Sequence, residues 1–291
     1  MKRIIVMTIA ILSATSMLSA HALWVNVFPT KSYAYVSLGF GHSLPFQDVL
    51  MSKKGKVNLE RFTLISPSST ETELKKPTVV MGDPIATLKG VEVFDADVAM
   101  QKVVFDTDES EKGTYQVVAV SESRFYTKYI DNEGKEKKER KPMTEMNDIK
   151  DVIMSLRTKI YGKAFFTLGD WTEPKPIGKG LEIVPKTDLS KLKVGDLVEV
   201  EVLFDGEPLK RNPKKDRDFI SAYSVDFGQP DKFTMVSSIR DGKAKFRVQT
   251  IGQWFVEVKH KKDVTKDGPL KDLVGQVLQD SHRATITFHV K

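Results

Sequence analysis

From Leu23 onward, hydrophobic and polar residues alternate over short segments, which is typical of β-strands. The segments are rich in Val, Ile, Phe, Tyr and Thr and are separated by Gly, Pro, Asp and Asn, as in antiparallel sheets. In the first half of the chain we predict strands at 23–28, 33–40, 58–65, 77–81, 91–94, 113–121 and 164–168. In the second half we predict strands at 181–184, 197–204, 223–227, 244–250, 253–260 and 283–290.

One segment, residues 144–158, has a helical pattern instead. Its apolar residues Met146, Ile149, Ile153 and Leu156 follow one another at spacings of three and four, which places them on one face of a helix. We therefore predict one short helix here. The charged stretch 131–141 before it contains turn-forming residues and is predicted to be an exposed loop or hairpin tip.

Residues 171–180 contain two prolines and two glycines and indicate a boundary. The six predicted strands after it, over about 110 residues, have the number and spacing of an immunoglobulin-like sandwich. The predicted fold class is therefore all-β. We expect two immunoglobulin-like antiparallel β-sandwich domains, residues 21–175 and 176–291, with the short helix inserted near the end of the first. One large all-β domain is the alternative.

The N-terminal segment has the features of a secretory signal peptide. Lys2 and Arg3 precede an uncharged apolar stretch, residues 4–18, which is too short to span a membrane. Residues 1–20 are therefore predicted to be removed on export, which leaves a soluble protein. Cleavage after Ala22 fits the small-x-small rule better, whereas cleavage after Ala20 would make His21 the new N-terminus.

The composition excludes several kinds of chemistry. The chain has no cysteine, so it has neither disulfides nor thiolate nucleophiles or ligands. Its net charge of +6 comes from lysines interspersed with acidic residues rather than from a basic stripe, which argues against nucleic-acid binding. The common serine-hydrolase, phosphate-loop and zinc-protease motifs are missing from the sequence, so we expect that the protein is not an enzyme.

Two of the five histidines fall on the core-facing side of neighbouring predicted strands. His260 ends the strand 253–260, and His282 precedes the strand 283–290. If these two strands are antiparallel neighbours, both imidazoles lie at the same end of the sheet. His289 has the opposite phase and is interpreted as an ordinary exposed residue.

A second pair is predicted at the N-terminal hairpin. A hairpin centred on Thr30 places His21 opposite position 39, a few residues from His42. Imidazole is the commonest protein ligand of transition metals, and a mature N-terminal histidine offers both its ring and its α-amine. The candidate ligands of nickel, cobalt, copper or zinc are therefore His21, His42, His260 and His282. The alternative is that each histidine only satisfies local hydrogen bonds.

Several short segments resemble a known family. They are His21-Ala22-Leu23-Trp24, Leu38-Gly39-Phe40-Gly41-His42, Tyr161-Gly162-Lys163-Ala164, Leu181-Glu182-Ile183-Val184-Pro185, Val194-Gly195-Asp196, Leu203-Phe204-Asp205-Gly206-Glu207-Pro208-Leu209, Gly252-Gln253-Trp254-Phe255-Val256 and Ala284-Thr285-Ile286-Thr287-Phe288. Together they resemble the bacterial periplasmic family named domain of unknown function 4198, which is often labelled as a nickel or cobalt uptake component.

The resemblance implies a periplasmic location, immunoglobulin-like domains and a histidine kept at the mature N-terminus, which favours cleavage after Ala20. Carried over residue by residue, it points to His21 and His42 and, less strongly, to His260, whereas His282 rests on strand geometry alone.

Two functional hypotheses follow from the sequence. The first is a periplasmic binding protein for a divalent transition metal ion of the nickel and cobalt class. It would be accessory to uptake, and its partner would be an inner-membrane metal transporter. The alternative is a non-catalytic β-sandwich interaction module that binds a protein, peptide or glycan in the cell envelope, in which the histidines are incidental.

Overall fold

A computed structural model of the chain describes residues 21–45, 51–52, 55–78, 83–94, 97–106, 108–210, 218–227 and 234–291. The predicted signal peptide and most of the predicted strand 77–81 lie outside these residues. In the first half the strands are β1 (Ala22–Pro29), β2 (Tyr33–Gly41), β3 (Met51–Ser52), β4 (Gly55–Lys56), β5 (Leu59–Ile65), β6 (Glu71–Glu73), β7 (Ala86–Leu88), β8 (Val91–Val93), β9 (Gln101–Val104), β10 (Gly113–Ser121), β11 (Arg124–Ile130), β12 (Glu136–Glu139) and β13 (Asp151–Leu168).

The strands continue in the same way after the proline- and glycine-rich segment. They are β14 (Leu181–Pro185), β15 (Leu197–Phe204), β16 (Glu207–Pro208), β17 (Phe219–Ser224), β18 (Met235–Ser238), β19 (Lys243–Arg247), β20 (Gly252–Asp263) and β21 (Gln279–Val290). Single 3₁₀ turns occur at Met143–Glu145 and Lys271–Leu273. The prediction of an all-β fold is confirmed.

A ten-stranded central sheet organises the molecule. Its order is β18-β17-β20-β21-β13-β10-β5-β6, and β11 and β12 extend from β13. Outer sheet 1 consists of β1, β2 and β9, and outer sheet 2 of β14, β15, β16 and β19. Two small hairpins, β3-β4 and β7-β8, complete the described strands. Pairing is antiparallel except between β13 and β21, which are parallel.

The central sheet is covered on both faces. In β10, Val117 and Ala119 belong to the core shared with outer sheet 1, whereas Val118 and Val120 belong to the core shared with outer sheet 2. Because successive strand residues point to opposite faces, this division places one outer sheet on each side. The described chain therefore forms three β layers with two large cores between them, and a smaller hydrophobic cluster contains Trp24 and Phe255.

The central sheet takes strands from both sides of the predicted domain boundary. β13 precedes the 171–180 segment and β21 follows it, yet they pair from Leu156 with Gln279 to Ala164 with Thr287. The proposed division into residues 21–175 and 176–291 stays a prediction, and any boundary between such domains would run through a shared sheet.

The predicted helix at 144–158 is wrong. Residues 151–158 belong to β13, and only Met143–Glu145 form a 3₁₀ turn. The helical spacing of apolar residues is outweighed because β13 has strand partners along both edges, β11 on one side and β21 on the other. Ile153 lies where the register between β11 and β13 shifts and is 47% exposed, so it does not share a buried face with Leu156 as a helix would require. Of the two alternatives predicted for 131–141, an exposed loop or a hairpin tip, the structure has the hairpin, in which a turn after β11 leads into β12 (Glu136–Glu139).

Gly39 allows the Trp24 indole to lie flat against β2. The Trp24 side chain is completely buried, and a Cβ atom at Gly39 would overlap the indole ring. We expect Gly39→Ala to lower the free energy of unfolding by about 2 kcal/mol, because the packed core cannot shift without strain. Urea unfolding measures this cost.

The Trp24→Leu background is the control for Gly39→Ala. A smaller residue at position 24 removes the overlap, so there the same substitution should cost less than about 1 kcal/mol. An equal cost in both backgrounds would show that steric contact with the indole is not the cause.

Candidate functional sites

The rings of His21 and His42 are in contact at one end of the β1-β2 hairpin. Their centroids are 4.6 Å apart and their planes are tilted by 31°. The predicted convergence is confirmed, but the predicted register is wrong. Thr30 N donates to Tyr33 O, so the turn is centred between Lys31 and Ser32, and Ala22 pairs with Gly41. This shift places His21 beside His42 rather than opposite position 39.

The backbone on the His42 side of this pair is anchored. The Tyr223 hydroxyl donates to the His42 carbonyl oxygen at 3.1 Å, and the Trp24 indole N–H donates to the Pro45 carbonyl oxygen at 3.2 Å. Leu44, between them in sequence, is buried. His21 is exposed and His42 is half-buried, so both rings can be reached from solvent.

The donor set at this end is small. Within the described ranges, no group of three or more His, Cys, Asp or Glu side chains is arranged to hold a metal ion. His21 and His42 supply two imidazole nitrogens, and the α-amine of His21 becomes a third donor only if the chain is cleaved after Ala20. Three nitrogen donors suit nickel, cobalt, copper or zinc and leave coordination positions for water.

His260 and His282 are direct cross-strand partners in the β20-β21 ladder. Their predicted proximity is therefore confirmed. Both rings contact the ring of Phe204 from outer sheet 2, at centroid distances of 5.4 Å for His260 and 4.9 Å for His282. The pair thus lies between the central sheet and outer sheet 2.

Hydrogen bonds occupy both ring nitrogens of His282. Nε2 lies 3.0 Å from Asp280 Oδ2, and Nδ1 lies 3.3 Å from the Tyr161 hydroxyl. A carboxylate only accepts, so we assign the His282 proton to Nε2, and the tyrosine then donates to Nδ1. His260 Nδ1 is 3.1 Å from Asp218 Oδ2. Metal ligation by His260 and His282 stays a prediction, and at His282 it would require one of these bonds to break.

Asp280 is the charged centre of this network. Arg157 donates to both carboxylate oxygens of Asp280, at 2.9 and 2.7 Å. The Asp280 side chain is only 2% exposed. Burial alone raises the pKa of Asp280, but the hydrogen bonds from Arg157 and His282 outweigh burial and hold that pKa well below its usual range. Burial and the neighbouring carboxylates raise the pKa of Tyr161, so its hydroxyl stays protonated and able to donate.

A second ion pair, in which both side chains are buried, lies on the same face of β13. Lys163 Nζ is 2.5 Å from Glu182 Oε2, and the two side chains are 4% and 1% exposed. Glu182 also accepts hydrogen bonds from the backbone N–H groups of Ile177 and Gly178. Burial lowers the pKa of Lys163. Burial also opposes ionisation of Glu182, but Lys163 and the two N–H groups outweigh it and lower the Glu182 pKa.

The sequence analysis missed this ion pair, although it contained a signal. Lys163 comes directly before the predicted strand 164–168, and Glu182 lies between Leu181 and Ile183 in the predicted strand 181–184. A charged residue at a buried strand position must be paired. Two such residues of opposite sign could have been matched with each other.

The interpretation of His289 as exposed is wrong. Its ring is half-buried against Phe28, at a centroid distance of 5.4 Å, and its Nε2 is a buried atom without a hydrogen-bond partner in the described part of the chain. Burial lowers the pKa of His289. The error arose because outer sheet 1 covers this face of β21, where Thr285 donates to the Leu23 carbonyl oxygen.

Comparison with known proteins gives a family match. A sequence model described as "Domain of unknown function (DUF4198)" matches residues 18–262, and this description states no activity. No curated protein matches the chain. One similar solved structure is a segment of two fibronectin type III domains from chicken tenascin, with 12% identity over 81% of this chain and 87% of that chain and a TM-score of 0.19. The architecture given above therefore rests on this chain's own strand pairing.

Loss of one partner of the Lys163–Glu182 pair should be strongly destabilising. Lys163→Met leaves a buried carboxylate without its cation, so we expect the free energy of unfolding to fall by about 3–5 kcal/mol. In the double variant Lys163→Met/Glu182→Gln the amide still accepts from the backbone, and most of this stability should return. Urea unfolding of the two single variants and the double variant measures the coupling energy. If the losses of the single variants simply add in the double variant, the two charges do not depend on each other as proposed.

Asp280 should contribute stability that is lost in acid. Its pKa is lowered in the folded state, so its contribution is complete above the unfolded pKa of about 3.9 and disappears as pH falls through the folded value. We expect Asp280→Asn to lower the unfolding free energy at pH 7 by about 2 kcal/mol and to show a smaller further loss at low pH.

Denaturant unfolding across the pH range measures the Asp280 effect, with Glu133→Gln as a control because Glu133 is on an exposed turn. If the unfolding free energies of the wild type and Asp280→Asn change with pH in parallel, Asp280 does not supply the stability that is lost in acid.

Proposed function

The chain belongs to the family Domain of unknown function (DUF4198), and we propose that it is a periplasmic, non-catalytic binding protein for a divalent transition metal ion. The observation that supports the proposal is the contact between the His21 and His42 rings, whose centroids are 4.6 Å apart. Nickel and cobalt are the proposed class of cargo because the family resemblance implies them, whereas imidazole donors by themselves suit copper and zinc as well.

The place where β1 begins supports His21 as the mature N-terminus. β1 begins at Ala22, which is 4% exposed and pairs with Gly41. Cleavage after Ala22 would remove both this buried residue and His21. Cleavage after Ala20 keeps the strand whole and gives His21 a free α-amine next to its imidazole.

The two proposed ligands are held in different ways. The His42 backbone is held by Tyr223, whereas His21 precedes the first strand and its ring contacts Phe40 at a centroid distance of 5.0 Å. Both rings can be reached from solvent, which suits a carrier that takes up and releases its ion. We propose that the cargo passes to an inner-membrane metal transporter. None of the helices in the described residues is long and apolar enough to cross a membrane.

Calorimetric titration of residues 21–291 with nickel, cobalt, copper and zinc tests the proposal. We expect one equivalent of at least one metal to bind more tightly than about 100 μM. His42→Ala should weaken binding at least about ten-fold. Retaining Ala20 as an extra N-terminal residue should weaken it by a similar factor, because this blocks the His21 amine. Affinity should fall as the pH is lowered, because protons compete for the imidazole nitrogens.

His260→Ala tests the other predicted histidine pair, because His260 bonds Asp218 and takes no part in the His21–His42 contact. If the ion is held by His21 and His42, this variant should leave the affinity unchanged. If no metal binds more tightly than about 100 μM, or if His42→Ala has no effect, the interaction module for a protein, peptide or glycan becomes the better explanation.

A further inference from the structure

A cleft of about 800 Å³ lies between the central sheet and outer sheet 2. The His21–His42 pair belongs to the β1-β2 hairpin of outer sheet 1, which covers the opposite face of the central sheet. Tyr161 and His282 line the cleft from the central sheet, and Phe204 lines it from outer sheet 2. This volume is within the range of small-molecule sites. The proposed metal site does not use this cleft.

The acidic side chains of the cleft are already satisfied. Asp280 and Glu182 form the two buried pairs described above. Glu60 is paired with Lys159, and Glu71 with Arg61. The remaining acid, Asp205, accepts a hydrogen bond from the backbone N–H of Gly180. The cleft therefore offers an incoming cation no uncommitted carboxylate apart from Asp205.

Two cations of the same cleft have no carboxylate partner within the described ranges. Lys179 is exposed on the segment between β13 and β14. Lys262, on β20, lies with its Nζ 3.6 Å from the centroid of the Phe204 ring. With every other cation paired to an acid, these two ammonium groups make an anion the complementary ligand.

Apolar groups stand beside these cations. Ile177, Phe204 and Leu270 line the cleft and are only partly buried, so a ligand could cover apolar surface there. We propose that this cleft binds a small organic anion, with its carboxylate held by Lys179 and Lys262 and its flat apolar body against the solvent-accessible parts of Ile177, Phe204 and Leu270. The buried Lys163–Glu182 pair and the half-buried Arg157–Asp280 pair hold side chains of the cleft in place, which lowers the ordering cost of binding.

Calorimetric or NMR titration of residues 21–291 with benzoate, acetate and inorganic phosphate tests this proposal, with no metal added. Benzoate should bind more tightly than about 1 mM, because it combines a carboxylate with a flat apolar ring. Acetate lacks the ring and phosphate supplies only charge, so both should bind at least about ten-fold more weakly. Lys179→Gln/Lys262→Gln should weaken benzoate binding at least about ten-fold.

Two control variants separate this site from general charge and from the metal proposal. Lys193→Gln removes an exposed lysine outside the cleft, and His42→Ala disables the proposed metal site. Both should bind benzoate like the wild type. The proposal is overturned if benzoate does not bind up to about 10 mM, if phosphate binds as tightly as benzoate, or if Lys193→Gln weakens binding as much as the double variant.

Discussion

The buried pair of Lys163 and Glu182 is the interaction on which the layered arrangement depends. Lys163 belongs to β13 of the central sheet, and Glu182 belongs to β14 of outer sheet 2. Because an unpaired charge in a protein interior costs several kcal/mol, the two sheets cannot slide apart without leaving both groups uncompensated. Glu182 also receives the N–H groups of Ile177 and Gly178, so the same pair fixes the connection that leads from one layer to the next. Lys163 and Glu182 also line the neighbouring cleft, so the same pair holds two of its side chains in place.

The sequence predicted the elements better than their assembly. Alternation identified most of the long strands, because a period of two is a local property of the chain. It could not predict that β13 would be 18 residues long, since residues 151–158 are extended only because β11 and β21 supply partners at both edges. Nor could local pattern show that strands from both sides of the 171–180 segment share one sheet. That pairing joins distant segments and leaves no short-range signal.

For the candidate sites too, the sequence predicted local placement better than contacts between distant segments. Strand phase was enough to bring His260 opposite His282, and hairpin geometry was enough to bring His21 near His42, although the turn centre was misplaced. Phase alone could not predict what each ring bonds. Asp280 is two residues from His282 and so was visible in the sequence, whereas Tyr161 reaches the ring from a strand more than a hundred positions earlier. The exposure of His289 was misjudged for the same reason, because the covering layer comes from β1.

The position of β21 has a consequence for how the chain folds. This final strand of twelve residues lies between β13 and β20 and completes the hydrogen bonding of both. Arg157 and Asp280, which meet across this junction, are 123 residues apart in the chain. Closing so large a loop lowers the chain's entropy before the stabilising contacts form, so we expect the sheet to form slowly. Until β21 is in place, β13 and β20 each present an unpaired edge, which is a site for aggregation. A chain of this topology therefore depends on protection of those two edges until β21 has paired with them.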